Sequence, residues 1–216
     1  MQSEFPANST IAQVLPEFYE KYDLKEDGGM DDDTVKIVLY KNICFYLPNI
    51  GDRKKAVLKH DIHHIITGYK SDFKGETEIG AWEVSSGCKK YWVAWVLDLA
   101  GMITGLPFNL RGVFNAFVTG QRTRNLYDNA IPDEVALSMT IDELREKLGL
   151  NADFQKRVTA RELLFFVFWV ALGGLYMLLY SLFLPFIILY TIHIVCRKRE
   201  SSNCVVCKNI TPKLNG

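Results

Sequence analysis

The sequence predicts an all-α protein, a helical domain followed by a hydrophobic membrane-embedded helix or helical hairpin. Three observations carry this. Apolar residues recur at helical spacing over most of the chain, beginning with Ile11, Val14, Leu15, Phe18 and Tyr22. Two histidines, His60 and His64, stand four apart next to an acid, Asp61, so on a helix they share one face. The 34 residues from Leu163 to Cys196 contain no Asp, Glu, Lys or Arg, where about 20 apolar residues suffice to cross a bilayer.

In chain order, the first helix ends near Leu24. Lys25 to Asp33, acidic and holding Gly28-Gly29, reads as a loop. Asp31-Asp32-Asp33 suit a helix N-terminus, and Val35, Val38, Leu39 and Ile43 continue at helical period until Leu47-Pro48. That segment is also rich in β-branched and aromatic residues, so a strand is the alternative. After Gly51-Asp52 a helix begins whose buried face is Ala56, Leu58, Ile62, Ile65 and Ile66. Gly68 stops it, and Ser71 or Asp72 caps a second helical run from Asp72 to Leu97 with Ile79, Trp82, Glu83, Trp92 and Trp95. Leu97 to Phe117 is apolar but broken by Gly101, Gly105 and Pro107. Thr140 and Glu143 form a capping box for Ile141–Leu148, which Gly149 ends.

The chain has 25 basic and 25 acidic side chains, a balance that excludes the electrostatic footprint of a nucleic-acid binder. Its five cysteines, Cys44, Cys88, Cys196, Cys204 and Cys207, are odd in number and not spaced as a disulfide framework, which points to a reducing compartment. Cys204-Val205-Val206-Cys207 reads as free or lipid-modified thiols rather than half a zinc knuckle. The N-terminal residues lack an apolar signal core and the Arg-rich character of a transit peptide.

The chemistry concentrates in His60 to Glu76. With His60 taken as zero, His64 lies near about 40° and Asp61 near about 100°, while His63 falls at about −60°, off that arc. Glu76, in the first turns of the next helix, can close a site of two imidazoles and two carboxylates. Such ligands suit Zn²⁺, with Mn²⁺ or Fe²⁺ as alternatives. Glu83, seven residues after Glu76 and so on nearly the same face, is either an acid orienting a ligand histidine or a solvated glutamate. Asp61 stands where the zinc peptidase signature needs Glu, which disfavours a peptidase.

The spacing H-D-x-x-H, eleven residues, then Glu resembles the signature of the ubiquinone (coenzyme Q) biosynthesis protein 4 family. Thr67-Gly68-Tyr69, Asp72 and Gly75-Glu76 also resemble that family's run, and Ile141 to Leu150 resembles its closing L-x-x-L-R-x-x-L-G-I. The likeness covers about Val14 to Leu150 and is strongest over Lys59–Glu83. It implies a mainly helical, membrane-associated protein with zinc held by His60, Asp61, His64 and Glu76. It also implies an enzyme that removes the ring carboxyl of a polyprenylated hydroxybenzoate, with Glu76 catalytic, and that helps to assemble other quinone-biosynthesis enzymes. His63 is the candidate proton donor by proximity. Arg111 and Arg122, with Arg124 beside them, are candidates to hold a substrate carboxylate or lipid phosphate. The alternative function is a non-catalytic lipid-binding scaffold with a structural metal. A phosphohydrolase of the HD type is poorly supplied, because the remaining histidine, His193, lies in the membrane segment.

The expected organisation is a metal- and lipid-binding domain over 1–151, a basic juxtamembrane linker over 152–162, a membrane segment over 163–196 and a polar basic tail over 197–216. A homodimer is allowed. The membrane segment departs from the family pattern. As one straight helix it would run about 51 Å against a core of about 30 Å, so tilt, a kink at Pro185 or a turn near Gly173-Gly174 must absorb the surplus. Lys156, Arg157 and Arg161 before it and Arg197, Lys198 and Arg199 after it balance a single crossing against a re-entrant path. The expected setting is the cytoplasmic face of a bacterial inner membrane, or the mitochondrial inner membrane in a eukaryote, with a polyprenylated quinone precursor and the lipid bilayer as partners.

Overall fold

The computed structural model describes residues 3–24, 33–40, 43–48, 51–152 and 157–203. Helices dominate, as expected: α1 (Ile11–Lys21), α2 (Gly51–Thr67), α3 (Phe73–Ser86), α4 (Trp92–Arg122), α5 (Asp133–Ser138), α6 (Ile141–Leu148), α7 (Ala160–Ser181) and α8 (Leu184–Asn203), with one 3-10 turn at Leu126–Asp128. The exception is an antiparallel hairpin, β1 (Thr34–Tyr40) and β2 (Ile43–Pro48), in the register Val35↔Leu47 and Ile37↔Phe45. The helix expected over Val35–Leu47 is therefore replaced by its strand alternative. β-branched and aromatic side chains fit a pleated surface better than a helix, where their χ1 freedom is lost. Lys25–Asp32 and Cys204–Cys207, including the expected loop and the C-x-x-C pair, lie outside the described residues.

Local signals place most helix ends. Thr10 and Thr140 each form a capping box, with Gln13 and Glu143 respectively. The two caps also pair with each other: Ile11 N–H donates to Met139 O and Ile141 N–H to Ser9 O, both at 3.0 Å. Helix α1 is thereby tied to α6. Gly68 (φ 76°) ends α2 in the left-handed conformation that favours glycine. The single run expected from Asp72 to Leu97 is two helices, because Gly87 (φ 96°) closes α3 by donating its N–H to Glu83 O.

Helices α3 and α4 pack along each other, and α2 crosses them. The core between them holds Ile62, Ile65 and Ile66 from α2, Ile79 and Trp82 from α3, and Met102, Val113 and Phe117 from α4. Gly101 and Gly105 do not break α4. A Cβ at Gly105 would overlap Thr77, so the glycine permits the close approach of α3. The helix bends instead at Asn109 (φ −147°, ψ 43°), two residues beyond Pro107, whose missing N–H and ring interrupt the ladder.

Helix α7 packs on a different face of α4 from α3. Trp169 stacks on Trp95 with centroids 5.1 Å apart, and Phe166 packs edge-on against Phe114 and Phe117. A Cβ at Gly173 would strike Ile103, so this glycine admits α4 and is not a turn. The apolar segment breaks at Leu182-Phe183 just before Pro185, and α7 and α8 do not lie side by side among the described residues. It is a bent path, not a helical hairpin. Its outer side chains Leu164, Phe168, Leu178, Phe186 and Leu189 are exposed. Trp92–Arg122 and Ala160–Leu179 are both long and apolar enough to cross a membrane. Helix α4 packs against α3 and against α7, with 33% of its apolar window buried.

Because buried Phe166 belongs to the main core, the globular domain does not close near residue 151. A chain ending after Arg161 is expected to melt about 5 °C or more below one ending after Ser181, from the loss of aromatic burial on α4. Thermal melts in detergent followed by circular dichroism check this, and equal midpoints would show that α7 adds nothing to the fold.

Candidate metal centre

Helix α2 brings His60 and His64 to the junction with α3, as its period requires. Asp72, the N-cap of α3, accepts from Gly75 N–H at 2.9 Å. Gly75 itself lies so close to the Lys70 backbone that any side chain there would overlap it. This contact folds the turn tightly, and Glu76, next along, faces the histidines.

Three donors converge there. His64 Nε2 lies 3.2 Å from His60 Nε2 and 3.3 Å from Glu76 Oε1, and His60 Nε2 lies 3.4 Å from Glu76 Oε2. Each histidine has its other nitrogen engaged. His64 Nδ1 donates to Tyr69 O at 2.8 Å, and His60 Nδ1 faces both oxygens of Glu83 at 3.1 Å. With Nδ1 of each ring held by these partners, both Nε2 atoms are turned toward the carboxylate of Glu76. Donors around a tetrahedral ion at about 2.0–2.1 Å sit about 3.3 Å apart, so this spacing and this donor set fit Zn²⁺. Charge holds the triad together. Burial pushes the His60 imidazole down, but Glu83 and Glu76 outweigh it and hold it well above its usual value. Burial pushes Glu76 up, and His64 and His60 outweigh it and hold it well below the carboxylate range. The Glu76 side chain is 44% exposed and also accepts from Ser71 Oγ at 3.0 Å, so the centre opens on that side.

Of the expected ligands, His60, His64 and Glu76 are thus brought together. Asp61 does not join them: its Oδ2 accepts from Tyr19 O–H at 3.0 Å, and burial pushes its carboxyl up to about 6. At about 100° from His60 it faces α1 instead.

Glu83 is not a solvated glutamate. It is fully buried and accepts from His63 Nδ1 at 2.5 Å and Tyr127 O–H at 3.2 Å as well as facing His60. Burial pushes Glu83 up, and His60 outweighs this and holds it well below the carboxylate range. Asp98 lies against it, its own carboxyl pushed well above the usual range by burial and by Glu83, and accepts from Cys88 Sγ at 3.4 Å. His60, Glu83 and Asp98 form a second group of converging donors. Neither Tyr127 nor Tyr19 carries a signal in the sequence. Asp98 does, as the one acid inside the apolar run of α4.

The role of proton donor does not fit His63. Its Nε2 accepts from Leu126 N–H at 2.9 Å and its Nδ1 is spent on Glu83. Burial pushes its pKa down, so it is a neutral, positioning side chain with no N–H to offer. Arg122 is likewise committed, making a two-point ion pair with Glu162 (Nε–Oε1 2.5 Å, Nη2–Oε2 2.9 Å) that pins the start of α7 to the end of α4. Arg124 pairs with Asp128 at 2.8 Å. Arg111 is exposed beyond the α4 bend. Comparison of the chain with protein-family models, with curated proteins and with solved structures finds no match.

Proposed function

We propose that this chain is a membrane-associated, metal-dependent carboxy-lyase of ubiquinone biosynthesis that removes the C1 carboxyl of a polyprenylated hydroxybenzoate. The observation behind the metal is the convergence of two imidazole nitrogens and one carboxylate at 3.2–3.4 Å. The substrate class rests on the resemblance of His60–Glu76 to the coenzyme Q biosynthesis protein 4 signature. His60, His64 and Glu76 would hold the ion, zinc before manganese or iron, and a bound ion would supply Lewis acidity toward a substrate oxygen.

The protein's own groups do the positioning. Tyr69 O and Glu83 keep both ligand imidazoles turned with Nε2 inward, and the open edge at Glu76 leaves room for a substrate oxygen. In the reaction the ring–carboxyl bond breaks, carbon dioxide leaves, and the electron pair left on the ring carbon takes up a proton. That proton does not come from His63.

The exposed apolar sides of α7 and α8 support residence at a bilayer, where a prenylated substrate is dissolved. A cytoplasmic membrane face in a bacterium, or the inner mitochondrial membrane in a eukaryote, suits this role, beside other quinone-synthesis enzymes. Wild type assayed on a prenylated hydroxybenzoate should release carbon dioxide. Glu76→Gln should still bind the lipid and lose about 100-fold or more in turnover, the scale of a misplaced reacting group. Unchanged turnover in Glu76→Gln would sink the enzyme reading and leave a lipid-binding scaffold.

A further inference from the structure

The two apolar helices with the length to cross a bilayer are not free to stand across one. Helix α4 folds back on itself at Asn109. Its first leg runs antiparallel to α3, since Gly80 abuts the Asp98 backbone and Thr77 abuts Gly105. Its second leg runs parallel to α3, since Glu78 abuts Gly112 and Trp82 abuts Gly120. The legs, Trp92–Phe108 and Leu110–Arg122, are about 25 Å and about 20 Å long, short of a hydrocarbon core of about 30 Å. Helix α7 is unbroken but committed along one face: Glu162 meets Arg122, Phe166 meets Phe117, Trp169 stacks on Trp95 and Gly173 abuts Ile103. Taking Leu164 as zero, these four lie at about 140–200° around the helix, while exposed Leu164, Phe168, Leu172, Leu175 and Leu179 lie at about 0–80°. Protein takes one face of α7 and leaves an uncharged apolar face turned away from it.

We propose that the chain is monotopic: α7 lies along one leaflet with its outer face among the acyl chains, and both ends of the apolar segment stay on one side of the bilayer. An upright α7, immersed from Leu163 on, would carry charge into hydrocarbon. Gly173 abuts Ile103, on the same leg of α4 as Gly101 and Gly105, which meet the backbone of Glu76 and the side chain of Thr77. The first turns of α3, with exposed Lys74 and partly exposed Glu76, would then sit at the depth of Gly173, where charged side chains are costly. A flat α7 avoids this, because α3 packs on another face of α4. Beyond the break at Leu182-Phe183, the apolar part of α8 is Leu184–Ile194, about 16 Å long and too short to cross. Helix α8 packs instead against β2 of the domain. Arg157 and Arg161 before the segment and Arg197, Lys198 and Arg199 after it then share one side, the placement that positive flanks favour. The inference rests on the proposed residence at a bilayer and not on the chemistry.

The test keeps the full chain with two reporter thiols, native Cys204 after the segment and Val158→Cys before it, at an exposed position. Cys44, Cys196 and Cys207 are replaced by Ser, and buried Cys88 is kept. The protein is reconstituted into sealed vesicles of phosphatidylcholine with phosphatidylglycerol and treated with a membrane-impermeant polyethylene-glycol maleimide. The mass shift per chain is then read on a gel. A monotopic chain should carry two labels or none, whichever way it faces, and two once detergent opens the vesicles. A majority with one label, rising to two in detergent, puts the thiols on opposite sides and overturns the proposal. Trypsin on vesicles of the wild type needs no variant. Chains cut before α7 should also be cut after α8, and cutting at one flank alone overturns the proposal as well. Flotation of the same vesicles reads membrane residence separately: a chain that does not float overturns that reading, and this inference falls with it.

Discussion

Purified in detergent, wild type is expected to carry near one zinc per chain and His60→Ala none. His60 is the residue common to both groups of converging donors. Its Nε2 supplies one of three converging donor atoms, and its Nδ1 connects that triad to Glu83. Without it, His64 and Glu76 remain as two donors, one short of the three protein ligands found in catalytic zinc sites. Asp61→Asn is the informative companion. With Oδ2 of Asp61 committed to Tyr19, this variant should retain its zinc. Loss of zinc in Asp61→Asn would mean that Asp61 turns inward when the ion binds, as the family resemblance implies. Full zinc content in His60→Ala, read by elemental analysis, would remove the ligand assignment altogether.

The triad was legible in the sequence because each of its determinants is local. The four-residue spacing puts His60 and His64 on one face, Gly68 stops the helix, and Asp72 starts the next one with Glu76 in its first turn. What surrounds the triad was not legible, because its partners arrive from distant elements. Tyr19 reaches Asp61 across 42 positions, and Tyr127 reaches Glu83 across 44. The face on which Glu83 sits follows from helical period, but its complete burial depends on His63, Tyr127 and Asp98 closing around it. Arg122 shows the same limit. A lone arginine on a helix reads as a substrate clamp until Glu162, forty positions on, is seen to occupy it.

Fold class was legible from period and caps, with two instructive departures. Thr34 to Pro48 reads at helical period but is rich in β-branched and aromatic residues, and their preference for a pleated surface decides for strands. The apolar run from Leu163 is uncharged over a membrane-spanning length. Composition alone cannot say that its first half is committed to α4 through Phe166, Trp169 and Gly173. Sequence hydropathy measures what a segment avoids, which is water, and is silent on whether lipid or protein takes its place.

Glu83→Ala is expected to be the most destabilising single change in the domain, at about 3–5 kcal/mol, which lowers the melting midpoint by about 10 °C. The fully buried Glu83 carboxylate accepts from His63 and Tyr127 and faces His60, which it helps to hold charged. Removing it leaves two donors unpaired and a buried cation with less of its counter-charge. Glu83→Gln keeps the volume but offers one acceptor oxygen and turns an N–H₂ toward groups that donate, so it should be destabilising too. Metal affinity should fall about 10–100-fold in Glu83→Gln as the His60 ring loses the partner that holds Nε2 inward. Asp98→Asn separates a charge effect from a packing effect. Its carboxyl is held neutral by burial and by Glu83, so a neutral amide of the same size should leave stability nearly unchanged. Chemical denaturation of the three variants, with zinc affinity measured alongside, distinguishes the cases. A Glu83→Ala protein as stable as wild type would mean that Glu83 does not hold His60, His63 and Tyr127 together, and the orientation of the metal ligands would need another cause.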